Sequence, residues 1–93
     1  MERIQTVKTV TVINLMTEDE ISYVGVPVHE AVVLAYFYHL KNYSPCTVDQ
    51  KMKMVKNELR LGEKTISCGN WCALMTEYDK KKFLESGYNF LSK

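Results

Sequence analysis

The sequence is poor in several residue types that would assign a protein to a class at once. It has three cysteines, an odd and low number that excludes a dense disulfide scaffold and favours a reducing compartment. No apolar run approaches the roughly 20 residues that cross a bilayer. Twelve basic and eleven acidic residues leave a formal net charge of +1, so no strong net field draws the chain to nucleic acid or to a membrane.

The sequence does contain enough apolar material for one core. Apolar residues make up 46% and charged residues 25% of the 93 residues, which is too apolar for a disordered tail. A chain of this length is one domain's worth, so we expect a single domain over residues 1–93. The first residues hold no apolar signal segment, and we expect a cytoplasmic location.

The cysteines and histidines do not match a known metal motif. Cys68 and Cys72 are spaced C-x-x-x-C, whereas zinc ribbons and redox sites use C-x-x-C. A ligand set can be completed with Cys46, His29 and His39, but the two histidines are ten positions apart on one predicted helix. At that spacing they point about 80° apart around the helix axis. We predict small, partly buried thiols, with no metal and no cofactor.

The first part of the chain alternates as a pair of strands does. Val7–Leu15 is β-branched or apolar on both sides of the alternation, which predicts a strand covered at least partly on both faces. The polar run Thr17–Glu20 interrupts the pattern, and Ile21–Val26 resumes it. The short polar link favours an antiparallel hairpin.

An apolar helix is predicted next. Pro27 suits the first helical position because its missing N–H would have no intrahelical partner, and Glu30 suits the positive end of the helix dipole. Ala31–Leu40 is apolar nearly all round, so we predict a central helix that lies across the sheet and is covered on most sides. The three consecutive aromatics at 36–38 leave a second interpretation open, in which one side meets a partner chain, and a homodimer is a further expectation.

Two more helices begin at capping motifs. Thr47–Gln50 matches the capping box and predicts a helix to about Lys56, although the alternating methionines and lysines inside it also fit a strand. Thr76–Asp79 predicts the start of the last helix, which either continues past Gly87 or ends there.

Two alternating segments between these helices are predicted to form strands. Lys64–Cys68 and Trp71–Met75 flank Gly69–Asn70, which forms a hairpin turn or a glycine bulge. The resulting order, β-β-α-α-β-(β)-α, predicts an α+β fold in which a small antiparallel sheet packs on the central apolar helix.

Catalytic chemistry finds little support in the sequence. His39 and Cys46 are close enough in the chain to pair as base and nucleophile, and no flanking motif supports the pair. Glu18–Glu20 is an acidic turn without the ligand spacing of a calcium loop, and no glycine-rich phosphate loop is present. We therefore predict a protein that is not an enzyme and acts by binding.

Two kinds of binding surface are predicted. Residues 41–64 hold six basic and three acidic residues, and this local excess favours a basic strip that grips a nucleic acid or a signal nucleotide. The other surface is a protein interface at the second hairpin turn, where an exposed Trp71 would be an anchor and a buried one would be core. We expect Trp71 to be partly buried. The candidate partner-binding residues are Trp71, Asn70, Tyr43, Lys51, Lys53, Lys56 and Arg60.

Two segments resemble those of a known group of proteins. Tyr23–Val32 resembles a G-x-P-x-x-E-A-V junction between a strand and a helix, and Ser67–Leu74 resembles an S-C-G-[DN]-[WF]-x-A-L segment. Both are similar, in this order, to segments of small uncharacterised accessory proteins of tailed-phage genomes. The loop at 43–46 departs from the tryptophan-containing form of that group.

The resemblance implies an early host-takeover or counter-defence protein, such as an anti-CRISPR, that acts in the cytoplasm of the host cell. Such a protein would bind a host protein or ribonucleoprotein complex and block it by steric occlusion, without catalysis. The alternative that the resemblance leaves open is sequestration of a signal nucleotide.

Overall fold

The structure, a computed structural model, describes residues 9–38 and 47–92. These residues form five strands, three α-helices and a C-terminal 3-10 segment. The strands are β1 (Thr9–Asn14), β2 (Glu20–Val24), β3 (Leu59–Leu61), β4 (Thr65–Cys68) and β5 (Trp71–Leu74). The helices are α1 (Val28–Tyr38), α2 (Val48–Glu58) and α3 (Glu77–Ser86), and the 3-10 segment is Asn89–Ser92.

The predicted α+β class is confirmed, with one strand more than the sequence indicated. The five strands form one antiparallel sheet in the order β2-β1-β5-β4-β3, which makes β5 the central strand. β3 follows α2 without a loop and pairs with β4, Leu59 lying opposite Cys68. A strand of three residues is too short to show a two-residue alternation, and its pairing with β4 establishes it.

The two predicted hairpins, β1–β2 and β4–β5, are both present. In the first, Val12 lies opposite Ile21, and in the second, Cys68 lies opposite Trp71 across the Gly69–Asn70 turn. The hairpins join through β1 and β5, where the recorded register consists of Ile13 with Cys72 and Asn14 with Trp71. The two halves of the sheet are therefore tied together at one end.

The helices cover one face of the sheet. α1 packs on β1, β4 and β5, α2 packs on β4 and the 3-10 segment, and α3 packs on α1. Six of the eleven α1 residues are buried, which confirms the prediction of a central apolar helix. The core between helix and sheet includes Val12, Val32 and Ile66, each fully buried.

The opposite face of the sheet is open, so the prediction that the first strand is covered at least partly on both faces is wrong. Val10 and Val12 are buried, whereas Thr9, Thr11 and Ile13 are exposed. Among the described residues no element packs on that side. By register, the outward-pointing residues, which we call the outer face, are Thr9, Thr11, Ile13, Glu20, Ser22, Val24, Arg60, Thr65, Ser67, Cys72 and Leu74.

Both predicted capping boxes form. The Thr47 side chain accepts a hydrogen bond from the backbone N–H of Gln50, which settles α2 as a helix rather than a strand. Thr76 and Asp79 make the same reciprocal pair at the start of α3. α3 ends at Gly87, whose positive φ of 58° with a ψ of −131° is a conformation that glycine adopts without strain.

Candidate functional site

Trp71 does not lie on the surface. Its side chain is 3% exposed and belongs to the core cluster under α1, so the expectation of a partly buried Trp71 is wrong, and by the criterion given above the side chain is core rather than a surface anchor. The reason is register: Trp71 is paired with Cys68, and both point to the helix-covered face of the sheet. Its neighbour Asn70 is exposed and lies in a hairpin turn, one of the two alternatives predicted for Gly69–Asn70.

The predicted basic residues do not form one strip. At 100° per residue, Lys53 and Lys56 lie about 60° apart on α2, while Lys51 lies at least about 140° from both. Viewed along the axis of α2, Asp49 lies at an angle between those of Lys53 and Lys56. The exposed side of the helix therefore carries mixed charge. The Lys56 ammonium also sits 5.6 Å from the centre of the Tyr88 ring.

Arg60 stands apart from the lysines of α2. It lies on the outer side of β3, and its Nη1 donates hydrogen bonds to the backbone carbonyls of Asn57 at 2.6 Å and Leu59 at 3.1 Å. Tyr43 and the predicted His39–Cys46 pair lie outside the described residues. The described members of the predicted binding set are thus divided among the core, a hairpin turn, two sides of a helix and a sheet edge.

A different exposed feature occupies one end of the sheet. The β1–β2 turn and the β4–β5 turn lie side by side there, because the Leu15 N–H donates to the Asn70 carbonyl at 2.8 Å. Leu15 is 66% exposed and Met16 is 75% exposed. We call Leu15, Met16 and Asn70 the apolar tip.

The turn that carries the tip is held by its own hydrogen bonds. Asn14 Oδ1 accepts from the backbone N–H groups of Met16 at 2.8 Å and Thr17 at 3.0 Å. The Thr17 hydroxyl donates to the Asp19 carboxylate at 2.8 Å, and the Asn14 N–H donates to the Asp19 carbonyl at 2.8 Å. Side chains that mimic a backbone turn in this way restrict the loop. Leu15 and Met16 are therefore presented on a pre-ordered segment.

The tip has an acidic border. Glu18, Asp19 and Glu20 are all exposed and follow Met16 after Thr17, and Glu18 has a φ of 65° in the left-handed region. A non-glycine residue there is strained by about 1–2 kcal/mol. In the sequence, two large apolar residues stand immediately before a polar turn. They were not recognised as a site because the alternating pattern of the first strand runs up to them.

An open cleft of about 370 Å³ lies between β1 and β5, beyond the point where their recorded register ends. Its walls include the exposed Thr11, Ile13 and Leu74 and the buried Val28 and Asp79. The Asp79 carboxylate already accepts hydrogen bonds from the N–H and hydroxyl of Thr76. The cleft offers an apolar recess that opens next to the outer face.

The buried His29 on α1 packs against α3 and the 3-10 segment. It is 2% exposed, and its ring lies 5.2 Å from that of Phe83 on α3 and 5.4 Å from that of Phe90 in the 3-10 segment. Its Nδ1 has no hydrogen-bond partner among the described residues, and Nε2 is 4.0 Å from the Glu30 carboxylate. Burial lowers the pKa of His29 against the opposing effect of Glu30. A neutral, packed imidazole is a structural group here.

Cys68 and Cys72 lie on opposite faces of the sheet. Cys68 is fully buried, and burial raises the pKa of its thiol to about 12, so it stays protonated. Cys72 points to the outer face and is half-buried. Within residues 9–38 and 47–92, no group of three or more His, Cys, Asp or Glu side chains is placed to hold a metal ion.

Comparisons with known proteins add no relative. No family model matches the chain, and neither the curated proteins nor the solved structures include a match. Among the helices of the described residues, none combines the length and the apolar character that crossing a membrane requires.

Proposed function

We propose that this protein is a protein-binding inhibitor of the phage counter-defence type, which blocks a host machine by occupying its surface without catalysis. The observation that carries the proposal is the apolar tip: Leu15 and Met16 are strongly exposed on a turn that is ordered before any partner arrives. Pre-ordered anchors lose little conformational entropy on binding, which raises affinity for a given contact area. The resemblance of Tyr23–Val32 and Ser67–Leu74 to phage accessory proteins supports the biological setting.

The chemistry of the tip indicates the kind of partner. Leucine and methionine side chains fit an apolar pocket, and methionine adapts to irregular ones. The carboxylates of Glu18, Asp19 and Glu20 surround them on one side and favour a partner whose pocket has a basic rim. Basic rims are typical of proteins that handle nucleic acid, including ribonucleoprotein complexes.

Nucleic-acid or nucleotide binding through the basic residues is the weaker candidate. It would need Lys51, Lys53, Lys56 and Arg60 to converge on one ligand. The spacing on α2 and the carboxylate of Asp49 work against that convergence.

The test is affinity capture from host lysate with and without nuclease, comparing two double variants. Leu15→Ser with Met16→Ser removes the tip, and Tyr78→Ser with Leu84→Ser removes two side chains of similar exposure on α3. We expect one dominant protein partner that the tip variant loses and the α3 variant keeps. Binding by purified components should weaken by about 100-fold, as for loss of two interface anchors.

Two results would contradict the proposal. Retention of the partner by the tip variant would place the contact elsewhere. Release of the partner by nuclease, together with a steep loss of binding with salt, would favour the nucleic-acid alternative.

A further inference from the structure

The outer face carries one charge at each of its two edges and none between them. A single row of paired residues crosses all five strands: Glu20 on β2, Ile13 on β1, Cys72 on β5, Ser67 on β4 and Arg60 on β3. The centre of the face is made of hydroxyl, apolar and thiol side chains. Ile13 is 41% exposed and Leu74 is 79% exposed.

We propose that a second copy of this chain docks on the outer face, with a twofold axis parallel to the central strand β5. A rotation of 180° about such an axis exchanges the two edges of the sheet. Glu20 of each copy then faces Arg60 of the other, and both pairs form at once. An axis perpendicular to the strands would instead place Glu20 on Glu20 and Arg60 on Arg60, so charge selects the first arrangement.

The dimensions of the sheet allow these pairs. Strands are about 4.8 Å apart, so each edge of a five-strand sheet lies about 10 Å from β5. Stacked sheets are rotated by about 30°, which displaces the edges by about 5 Å relative to each other. Glutamate and arginine side chains are long enough to cover that displacement. Arg60 uses Nη1 for the carbonyls of Asn57 and Leu59, and its guanidinium has further N–H donors to offer.

The shape of the outer face also fits a second copy. Leu74 is the most exposed apolar side chain on it and stands beside the open cleft between β1 and β5. The twofold axis brings the Leu74 side chains of the two copies together over the central strands, where each lies beside the cleft of its own copy. Since the axis is parallel to the strands, both copies keep their apolar tips at the same end of the dimer.

Five strands about 4.8 Å apart span about 20 Å, so the face is small for a stable interface, and we expect a dimer that dissociates on dilution, with a dissociation constant on the order of micromolar. The test is sedimentation equilibrium of the full chain with three variants. Glu20→Arg and Arg60→Glu should each raise the dissociation constant about tenfold or more, because two like-charge pairs replace two opposite-charge pairs. Lys81→Glu on α3 is the control and should leave the dimer unchanged.

Mixing supplies the decisive result. An equimolar mixture of the Glu20→Arg and Arg60→Glu chains should form a heterodimer with wild-type affinity, since both charge pairs are restored. The double variant that carries both changes should dimerise like the wild type. A mixture and a double variant that stay monomeric, or a wild type that is monomeric at millimolar concentration, would overturn the proposal and leave the outer face to another occupant.

Cross-linking through Cys72, on the central strand β5, tests the position of the twofold axis independently. In a Cys46→Ser background, a short bismaleimide should link two chains through Cys72, which lies on the central strand, while Cys68 is buried. Cys72→Ser should abolish the link. A dimer that is not cross-linked at Cys72 would place the interface elsewhere and would also overturn the proposal.

Discussion

The two faces of the sheet are built from the same strands but differ in burial and in the side chains that they present. The inner face presents Val12, Ile66 and Trp71 to α1 and is closed, whereas the outer face presents Thr11, Ile13 and Leu74 to solvent. Because side chains alternate along a strand, each strand contributes to both faces with consecutive residues. The comparison shows that stability is concentrated on one side and that the other side remains available for contact.

The largest expected effect separates the two faces directly. Ile66→Ala removes a fully buried side chain and should lower the free energy of unfolding by about 2–5 kcal/mol. Ile13→Ala on the outer face should cost less than about 1 kcal/mol. Urea unfolding at low protein concentration measures both, and an equal loss would show that the outer face is part of the core. At high concentration, the Ile13→Ala loss should grow if a second copy covers the face.

The next effect concerns the turn where the sheet meets α1. A Cβ at Gly69 would lie 2.7 Å from the Tyr36 ring, and Gly69 has a φ of 62°. Gly69→Ala should therefore destabilise by about 1–3 kcal/mol. Gly87→Ala is the matched control: its φ is 58°, but no atom lies within 4 Å of the added Cβ. A smaller loss at Gly87 isolates the contact with Tyr36, and equal losses would show that backbone strain alone acts.

In the β1–β2 turn, a substitution by glycine should change the free energy of unfolding in the opposite direction. Glu18→Gly relieves the left-handed strain at a φ of 65° and should raise the free energy of unfolding by up to about 1 kcal/mol. Asp19→Gly is the control, because it removes the carboxylate that accepts the Thr17 hydroxyl and should destabilise the turn. If Glu18→Gly were destabilising in thermal unfolding, the described turn conformation would be wrong.

The smallest expected effect is the pH dependence of stability that the buried His29 causes in the helical layer. Burial lowers the pKa of His29 below its ordinary value of 6.5, so the unfolded chain takes up a proton first as the pH falls. The free energy of unfolding should be at its full value above pH 6.5 and should decline below it. Asp79, Lys82 and Glu30 also act on this imidazole.

A variant separates His29 from the carboxylates that titrate at lower pH. His29→Leu should flatten the decline between pH 6.5 and about 5.5, just below the pKa of an ordinary histidine. An unchanged slope in His29→Leu would assign the dependence to other groups.

Much of the fold could be predicted because its signals are local. The capping boxes at Thr47 and Thr76 and the turn at Gly69–Asn70 each rest on a few neighbouring residues, and all three form. β3 was missed because three residues carry no periodicity of their own. The candidate site was harder to predict, because the apolar tip depends on two turns that are more than 50 residues apart along the chain.

Local patterns in the chain were enough to predict the α+β class, the central apolar helix and the starts of α2 and α3, because apolar periodicity and capping chemistry act within one or two turns of chain. Tertiary structure alone decided that Trp71 is core, that Leu15 and Met16 are exposed, and that Glu20 and Arg60 stand at opposite edges of one row. These outcomes depend on strand order and register, which long-range pairing sets, and a shift of one residue would turn every side chain to the other face.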